Sequence, residues 1–163
     1  MTDTLRSICE QCSQLNAPHL DFIPPELARH RKIIDRDLRE LVAAAYNELD
    51  RAAALLAGSL LESVLFSFLS GQETYIGAIR GRPFVFDPNM SLQNYKEIFN
   101  RYFGRTMPGS ELSDLTVEYR DMVHINRELA GPEDICSRAA RDMLRIVDKL
   151  LADLAGFAAP AVQ

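Results

Sequence analysis

The sequence has few cysteines, no long apolar run and no signal-peptide pattern. Its three cysteines, Cys9, Cys12 and Cys136, are an odd number in a 163-residue chain. That usage fits a reducing compartment and predicts no disulfide. No stretch of about 18 uninterrupted apolar residues occurs, and the N-terminal MTDTLRSICEQ lacks the basic and then apolar order of a signal peptide. We therefore expect a cytoplasmic protein with no membrane partner.

Several common functional motifs are also missing from the sequence. It contains no P-loop, no dinucleotide-binding glycine pattern and no serine-centred nucleophile elbow. Cys9 and Cys12 could be combined with His19 and His30 as four zinc ligands, but a second cysteine pair or a closely spaced histidine pair is absent. We interpret the two cysteines as small apolar residues on a short N-terminal helix. We expect no metal and no cofactor, with the zinc site as the alternative.

The acidic balance of the chain argues against one class of partner. A net charge of -5 does not favour broad, sequence-independent DNA binding, because that affinity comes from neutralising phosphates with lysine and arginine. The segment 72–110 is nevertheless locally basic at +2, with three acidic side chains against five basic ones. It could meet an anionic partner, or it could be an ordinary solvated loop. The basic residues are Arg80, Arg82, Lys96, Arg101 and Arg105.

A second basic group lies on a predicted helix that opens at Pro24 and Pro25 and runs to about Tyr46. One face of this helix is apolar, with Leu27, Ile34, Leu38, Leu41 and Ala45 at spacings of three, four and seven. The opposite face carries Arg29, Lys32, Arg36 and Arg39. Asp35, Asp37 and Glu40 are interspersed with these bases, so we interpret the group as a solvated face without a function.

Helical periodicity continues through most of the remaining chain and predicts an all-α fold. DRAAALLAGSLLESVLFSFLS is apolar nearly all round and should be the most buried helix. Shorter helices are predicted from Ser91 to Phe103 and from Ser110, and a long closing helix begins near Pro132. No βαβ or hairpin signal competes. We predict one domain with five or six helices in an up-and-down bundle. Its other parts are a peripheral segment at 1–22, an irregular insertion at 71–90 and a flexible tail at 158–163.

Glu62 is unusual because it places a carboxylate on the helix that should be most buried. Such a group needs a hydrogen-bonding or charged partner. Glu62 could therefore belong to a structural ion pair, or lie at a helix edge that reaches water, or orient a functional arginine.

The stretch YRDMVHINREL contains the strongest candidate site. Arg120 and His124 are one helical turn apart and point away from the apolar face of their helix, with Arg127 beside them. They could be two solvated side chains or a pair that grips a phosphate. Val117 and Ile125 flank this outward ridge, and apolar residues there suggest a homodimer surface.

Residues 25 to 155 resemble the HEPN family of helical nucleotide-binding domains. The resemblance is carried by RAAALLAGSLLESVL, by RDMVHINREL and by the long closing helix. Many HEPN proteins have an arginine, a polar residue and a following histidine, and active members are dimeric, metal-independent ribonucleases. The three residues between Arg120 and His124, with Asp121 after the arginine, are similar to the family's short-spaced branch.

The resemblance implies a metal-independent endoribonuclease acting on RNA. The resemblance carries this role to Arg120 and His124 only, with His124 as general base or acid and Arg120 as phosphate stabiliser. Apart from the resemblance, Arg127 would help to hold RNA, Asp121 would orient a neighbouring residue, and Glu62 would orient a functional arginine. The alternative is a catalytically silent scaffold that binds a protein partner or a nucleotide. A further possibility is a toxin whose partner is an antitoxin.

Overall fold

The computed structural model describes residues 3–107, Leu112 and residues 135–158. These residues contain seven α-helices and no β-strand, so the predicted all-α class is confirmed. The helix number exceeds the expected five or six even within this part of the chain. The difference arises because the N-terminal segment forms two short helices and because one more helix lies between residues 71 and 90.

The helices are connected mostly by short turns. A 3-10 turn at Pro25–Leu27 leads directly into the third helix, as expected for proline at a helix start. In chain order the helices are α1 (Leu5–Gln11), α2 (Ser13–Asn16), α3 (Ala28–Tyr46), α4 (Asp50–Ser70), α5 (Glu73–Arg80), α6 (Leu92–Phe103) and α7 (Ile135–Ala155).

Helix α4 is the centre of the core and contacts α3, α6 and α7. Phe68 near its end is fully buried, and its ring packs edge-on against Phe103 at 4.9 Å and Phe157 at 5.3 Å between centroids. The first half of α4 instead contains small buried residues, namely Ala53, Ala54, Ala57 and Gly58. Small side chains there allow neighbouring helices to approach closely, while aromatic rings fill the wider end.

Helix α4 is also long and apolar enough to cross a membrane, with a mean hydropathy of 1.9 over its most apolar window. In the structure 61% of that window is buried inside the protein. The core helix of a soluble protein has the same length and composition, so this property is weak support for a membrane span.

The N-terminal segment packs into the core, although the sequence suggested a peripheral position. Cys9 and Cys12 are buried, which agrees with their interpretation as small apolar residues. Two carboxylates from distant elements cap the short helices. Glu48, which has a left-handed backbone at φ 54°, accepts from the first amides of α1. Asp148 of α7 accepts from Gln14 N at 2.7 Å and from Leu15 N at 3.1 Å, at the start of α2.

The segment 71–90, predicted to be irregular, contains α5 and a connection that is fixed to its neighbours. Gly81 ends α5 with a left-handed φ of 65°, a conformation that glycine adopts without strain. Glu73 Oε1 then accepts from Phe86 N at 2.6 Å, and the Tyr95 hydroxyl donates to Pro88 O at 3.1 Å. The connection is therefore held by α5 on one side and by α6 on the other.

Candidate functional site

Most of the predicted site falls outside the part of the chain that the structure describes. Arg120, Asp121, His124 and Arg127 all lie within residues 113–134, as do the proposed dimer-surface residues Val117 and Ile125. The helix predicted from Ser110 also lies outside the described residues, apart from Leu112. Glu62 is the one predicted site residue that can be placed.

Glu62 is half-buried on α4 and lines a cavity of about 350 Å³. Helix α3, the connection after α5 and α6 complete the wall. We call this space the Glu62 cavity; it is lined by His30, Ser59, Glu62, Ser63, Phe66, Pro88, Met90 and Tyr95. The carboxylate therefore lies at a helix edge that opens to a cavity, which is one of the positions expected from the sequence.

The polar groups of the Glu62 cavity favour a ligand that donates hydrogen bonds. Burial, with the charges of Glu62 and Asp87, raises the pKa of Tyr95, so its phenol stays protonated near neutral pH and donates to Pro88 O. Ser63 Oγ donates to Ser59 O within α4 at 3.1 Å. Aromatic contacts form the apolar part of the wall, and the His30 and Phe66 ring centroids are 5.0 Å apart.

The described residues give little support to a metal site or a thiol nucleophile. They contain no group of three or more His, Cys, Asp or Glu side chains that could hold a metal ion. Burial, together with the charge of Asp148, raises the pKa of Cys12 to about 12, and burial also raises the pKa of Cys9. The thiolate is the form that binds metals and attacks electrophiles, so burial disfavours both reactions at these two cysteines.

Three arginines of α3 pair with carboxylates, and two of them lie on the face that the sequence predicted to be solvated. Arg39 pairs with Asp35 at 2.9 Å and Arg36 pairs with the buried Asp37 at 2.6 Å. Arg31, also on α3, pairs with Asp21 at 3.0 Å. Three of the four arginines on this helix are thus engaged in ion pairs. The charges of these three arginines are therefore balanced by carboxylates of the protein itself.

A groove of about 470 Å³ lies between α5 and α6, in the locally basic part of the chain. We call it the α5–α6 groove. Its apolar wall is formed by half-buried Phe84, Met90, Ile98 and Tyr102. Arg80, at the end of α5, and Arg101, on α6, contribute exposed guanidinium groups. Because Met90 lines both spaces, the groove adjoins the Glu62 cavity.

Each guanidinium group of the α5–α6 groove lies over an aromatic ring. Arg80 Cζ is 5.1 Å from the centre of the Phe84 ring, and Arg101 Cζ is 5.6 Å from that of Tyr102. These distances are within the range of cation–π contacts. Arg82 and Arg105, which are close to these two arginines in sequence, are also exposed. Within residues 3–107, Leu112 and 135–158, no carboxylate lies within 4.0 Å of any of these four guanidinium groups.

Two features of this region were not predicted from the sequence. His30 was considered only as a possible zinc ligand, and it reaches the Glu62 cavity because α3 packs beside α4. The bases of 72–110 were counted without the aromatic residues Phe84 and Tyr102 that lie among them. Aromatic residues interleaved with arginines are a pattern typical of surfaces that bind single-stranded nucleic acid.

Comparison of the chain with protein-family models, with curated proteins and with solved structures finds no match.

Proposed function

We propose that this protein is a HEPN-like, metal-independent endoribonuclease that acts as a homodimer. The observation that carries the proposal is the Arg120-Asp121-x-x-His124 motif in RDMVHINREL, in a chain that also has the buried helix RAAALLAGSLLESVL and a long closing helix. The all-α fold supports it, since a HEPN domain is a helical bundle. The burial of α4 supports the assignment of that segment to the core.

The two side chains suit RNA cleavage without a metal. Such cleavage requires a base that removes the 2′-hydroxyl proton and a cation that stabilises the charge growing on the phosphate. Histidine titrates near neutral pH, and arginine presents a fixed fork of donors to phosphate oxygens. Residues four apart on a helix are close enough to contact one phosphate. A dimer would bring two such pairs to one substrate groove.

Supporting roles follow from charge. Arg127 would hold the RNA backbone, and Asp121 would orient a neighbouring residue. Glu62 would act as a positioning residue for an arginine.

Purified protein should therefore cut structured RNA in the presence of EDTA, and His124→Ala should remove this activity. General acid–base catalysis contributes about 10²–10⁴-fold, so the cleavage rate should fall by at least about a hundredfold. In the same assay Glu62→Gln should lower kcat without raising KM. Gel analysis of end-labelled RNA measures the cleavage rate of each variant, from which kcat and KM are obtained.

His19→Ala is the matched control, because His19 is exposed on a different part of the chain and should be dispensable. Circular dichroism and the dimer mass must be the same in all variants. Cleavage by His124→Ala at the wild-type rate would remove His124 from the mechanism. Loss of cleavage in EDTA with recovery in Mg²⁺ would refute the metal-independent reaction.

A catalytically silent scaffold is the second candidate, and the Glu62 cavity favours it. Its volume of about 350 Å³ is within the range of small-molecule sites, and its wall combines aromatic rings with a few polar groups. A scaffold predicts that neither wild-type protein nor His124→Ala cuts RNA, and that a protein partner or a nucleotide is retained by both.

A further inference from the structure

We infer that the α5–α6 groove is a binding site for single-stranded nucleic acid, in which Arg80 and Arg101 contact phosphates and Phe84 and Tyr102 support stacked bases. The inference rests on the proposed function for the choice of RNA as the natural ligand. It adds a substrate-binding surface that is formed by residues other than the Arg120 and His124 motif.

The charges of the groove are available to a ligand. Arg80 and Arg101 contact rings and, in the part of the chain that the structure describes, no carboxylate. The groove also contains two carboxylates, and each of these already accepts a hydrogen bond. Asp87 Oδ1 accepts from Asn89 N at 2.9 Å, and Glu97 Oε1 accepts from Gln93 Nε2 at 2.8 Å. Among the described residues, an anion entering the groove would therefore meet two guanidinium groups without having to displace an ion pair.

The rings also order the arginine side chains of the groove, because a guanidinium group held over an aromatic ring has little freedom to move. Its outer face can stack on a base, and its edge can donate to phosphate oxygens. Phe84 and Tyr102 are half-buried against the core, so their positions are fixed before a ligand binds. Little side-chain entropy is then lost on binding.

The shape of the groove suits an extended strand. Asn94, Ile98 and Arg101 are spaced four and three apart on α6 and line the groove together. At 1.5 Å per residue this row is about 10 Å long. Phe84, from the connection after α5, lines the same groove as this row. The groove adjoins the Glu62 cavity at Met90. A groove with stacking surfaces accepts a single strand more readily than a duplex, whose bases are covered.

The test measures binding separately from cleavage. A fluorescein-labelled, unstructured 12-nucleotide RNA and a DNA of the same sequence are titrated with protein carrying His124→Ala, and fluorescence anisotropy gives the dissociation constants. Adding Arg80→Ala and Arg101→Ala should weaken both by at least about tenfold. Loss of two phosphate contacts should also lower the slope of log K against log salt by about 1.4, at about 0.7 per contact for single strands.

A matched double variant controls for the loss of net charge. Arg6 and Arg39 are also exposed, and Arg6 also lies over a ring, that of Tyr46, but each pairs with a carboxylate. Arg6→Ala with Arg39→Ala should weaken binding by less than about threefold. Equal losses in the two double variants would show that only the overall charge matters and would overturn the inference.

A third pair of substitutions tests the rings. Phe84→Leu with Tyr102→Leu keeps apolar packing but removes the two rings that support stacked bases. Binding should weaken by at least about fivefold for each base contact that is lost, and the salt slope should stay unchanged. Polyglutamate that competes as well as RNA at equal charge would identify an anion surface without base recognition, and would overturn the stacking role.

The two proposals fail separately. Wild-type protein that does not cut RNA, with a groove that still binds it, contradicts the ribonuclease and leaves the groove in place. Cleavage that persists in the groove variants, with unchanged dissociation constants, leaves the ribonuclease in place and overturns the groove. DNA should bind like RNA but remain uncut, because the groove contacts need no 2′-hydroxyl and the reaction does.

Discussion

Helix α3 and the segment from Arg80 to Arg105 carry similar numbers of arginines and use them differently. On α3 three of four arginines are in ion pairs, as in Arg39 with Asp35. In the second region all four arginines lack such a pair in the described part of the chain, and two lie over rings. The number of arginines therefore does not distinguish the two regions, whereas the placement of the nearest described carboxylates does.

The two regions also differ in how their arginines are held in place. Those of α3 project from one continuous helix. Arg80 and Arg101 belong to different helices and are brought together by the connection that Glu73 and Tyr95 fasten to α5 and α6. The groove should therefore be sensitive to substitutions that leave α3 unchanged.

Of the substitutions that test this comparison, Glu73→Ala should have the largest effect. It removes a charge-assisted hydrogen bond to Phe86 N, and such bonds contribute about 1.5–3 kcal/mol. We expect the free energy of unfolding, measured by urea denaturation, to fall by about that amount, and the groove to bind RNA more weakly. Glu26→Ala is the control, since Glu26 is exposed. A Glu73→Ala protein as stable as this control would show that the connection is not anchored by Glu73.

Tyr95→Phe should have a smaller effect, of about 1 kcal/mol, because one neutral hydrogen bond to Pro88 O is lost while the ring still packs on Phe86. The effect should depend on pH. The pKa of Tyr95 is raised above its ordinary value of 10.0. Its contribution to stability is therefore present below pH 10 and is lost as the pH rises through the higher pKa of the folded protein.

Urea denaturation of wild type and Tyr95→Phe at several pH values measures this dependence. The difference between the two free energies of unfolding should be constant up to about pH 10 and should shrink above it. A difference that stays constant into strongly alkaline solution would show that the Tyr95 phenol does not carry the effect.

Asp35→Asn should have the smallest effect and tests the comparison from the other side. The substitution frees Arg39 of its i,i+4 partner. Because an exposed ion pair contributes about 0.2–1 kcal/mol, RNA binding should tighten by no more than about fivefold. Glu26→Gln removes the same charge without freeing an arginine. Equal gains in the two variants, measured by anisotropy, would show that pairing does not distinguish α3 from the groove.

Features that depend on local sequence were predicted well. The start of α3 after Pro24 and the capping of α6 by Ser91, whose hydroxyl accepts from Asn94 N, are set by neighbouring residues. The burial of α4 follows from an apolar surface that continues round the helix. In each case the deciding contacts lie within a few residues of one another, so the sequence pattern contains them.

Features that depend on distant contacts were missed. The core position of the N-terminal segment depends on Asp148, whose hydrogen bond to Gln14 N joins residues 134 apart in sequence. The α5–α6 groove depends on Glu73 holding Phe86, a contact that follows helix formation by a stretch interpreted as irregular. No periodicity in the sequence contains either contact. The nuclease motif itself stays a prediction.

The Asp148 cap has a consequence for synthesis of the protein. On the ribosome α1 and α2 emerge well before α7, which carries the carboxylate that caps α2. The cap, and the packing of α7 against both short helices, can therefore form only after most of the described helices have been synthesised. Until then Cys9 and Cys12 lack part of the protein that buries them in the finished fold.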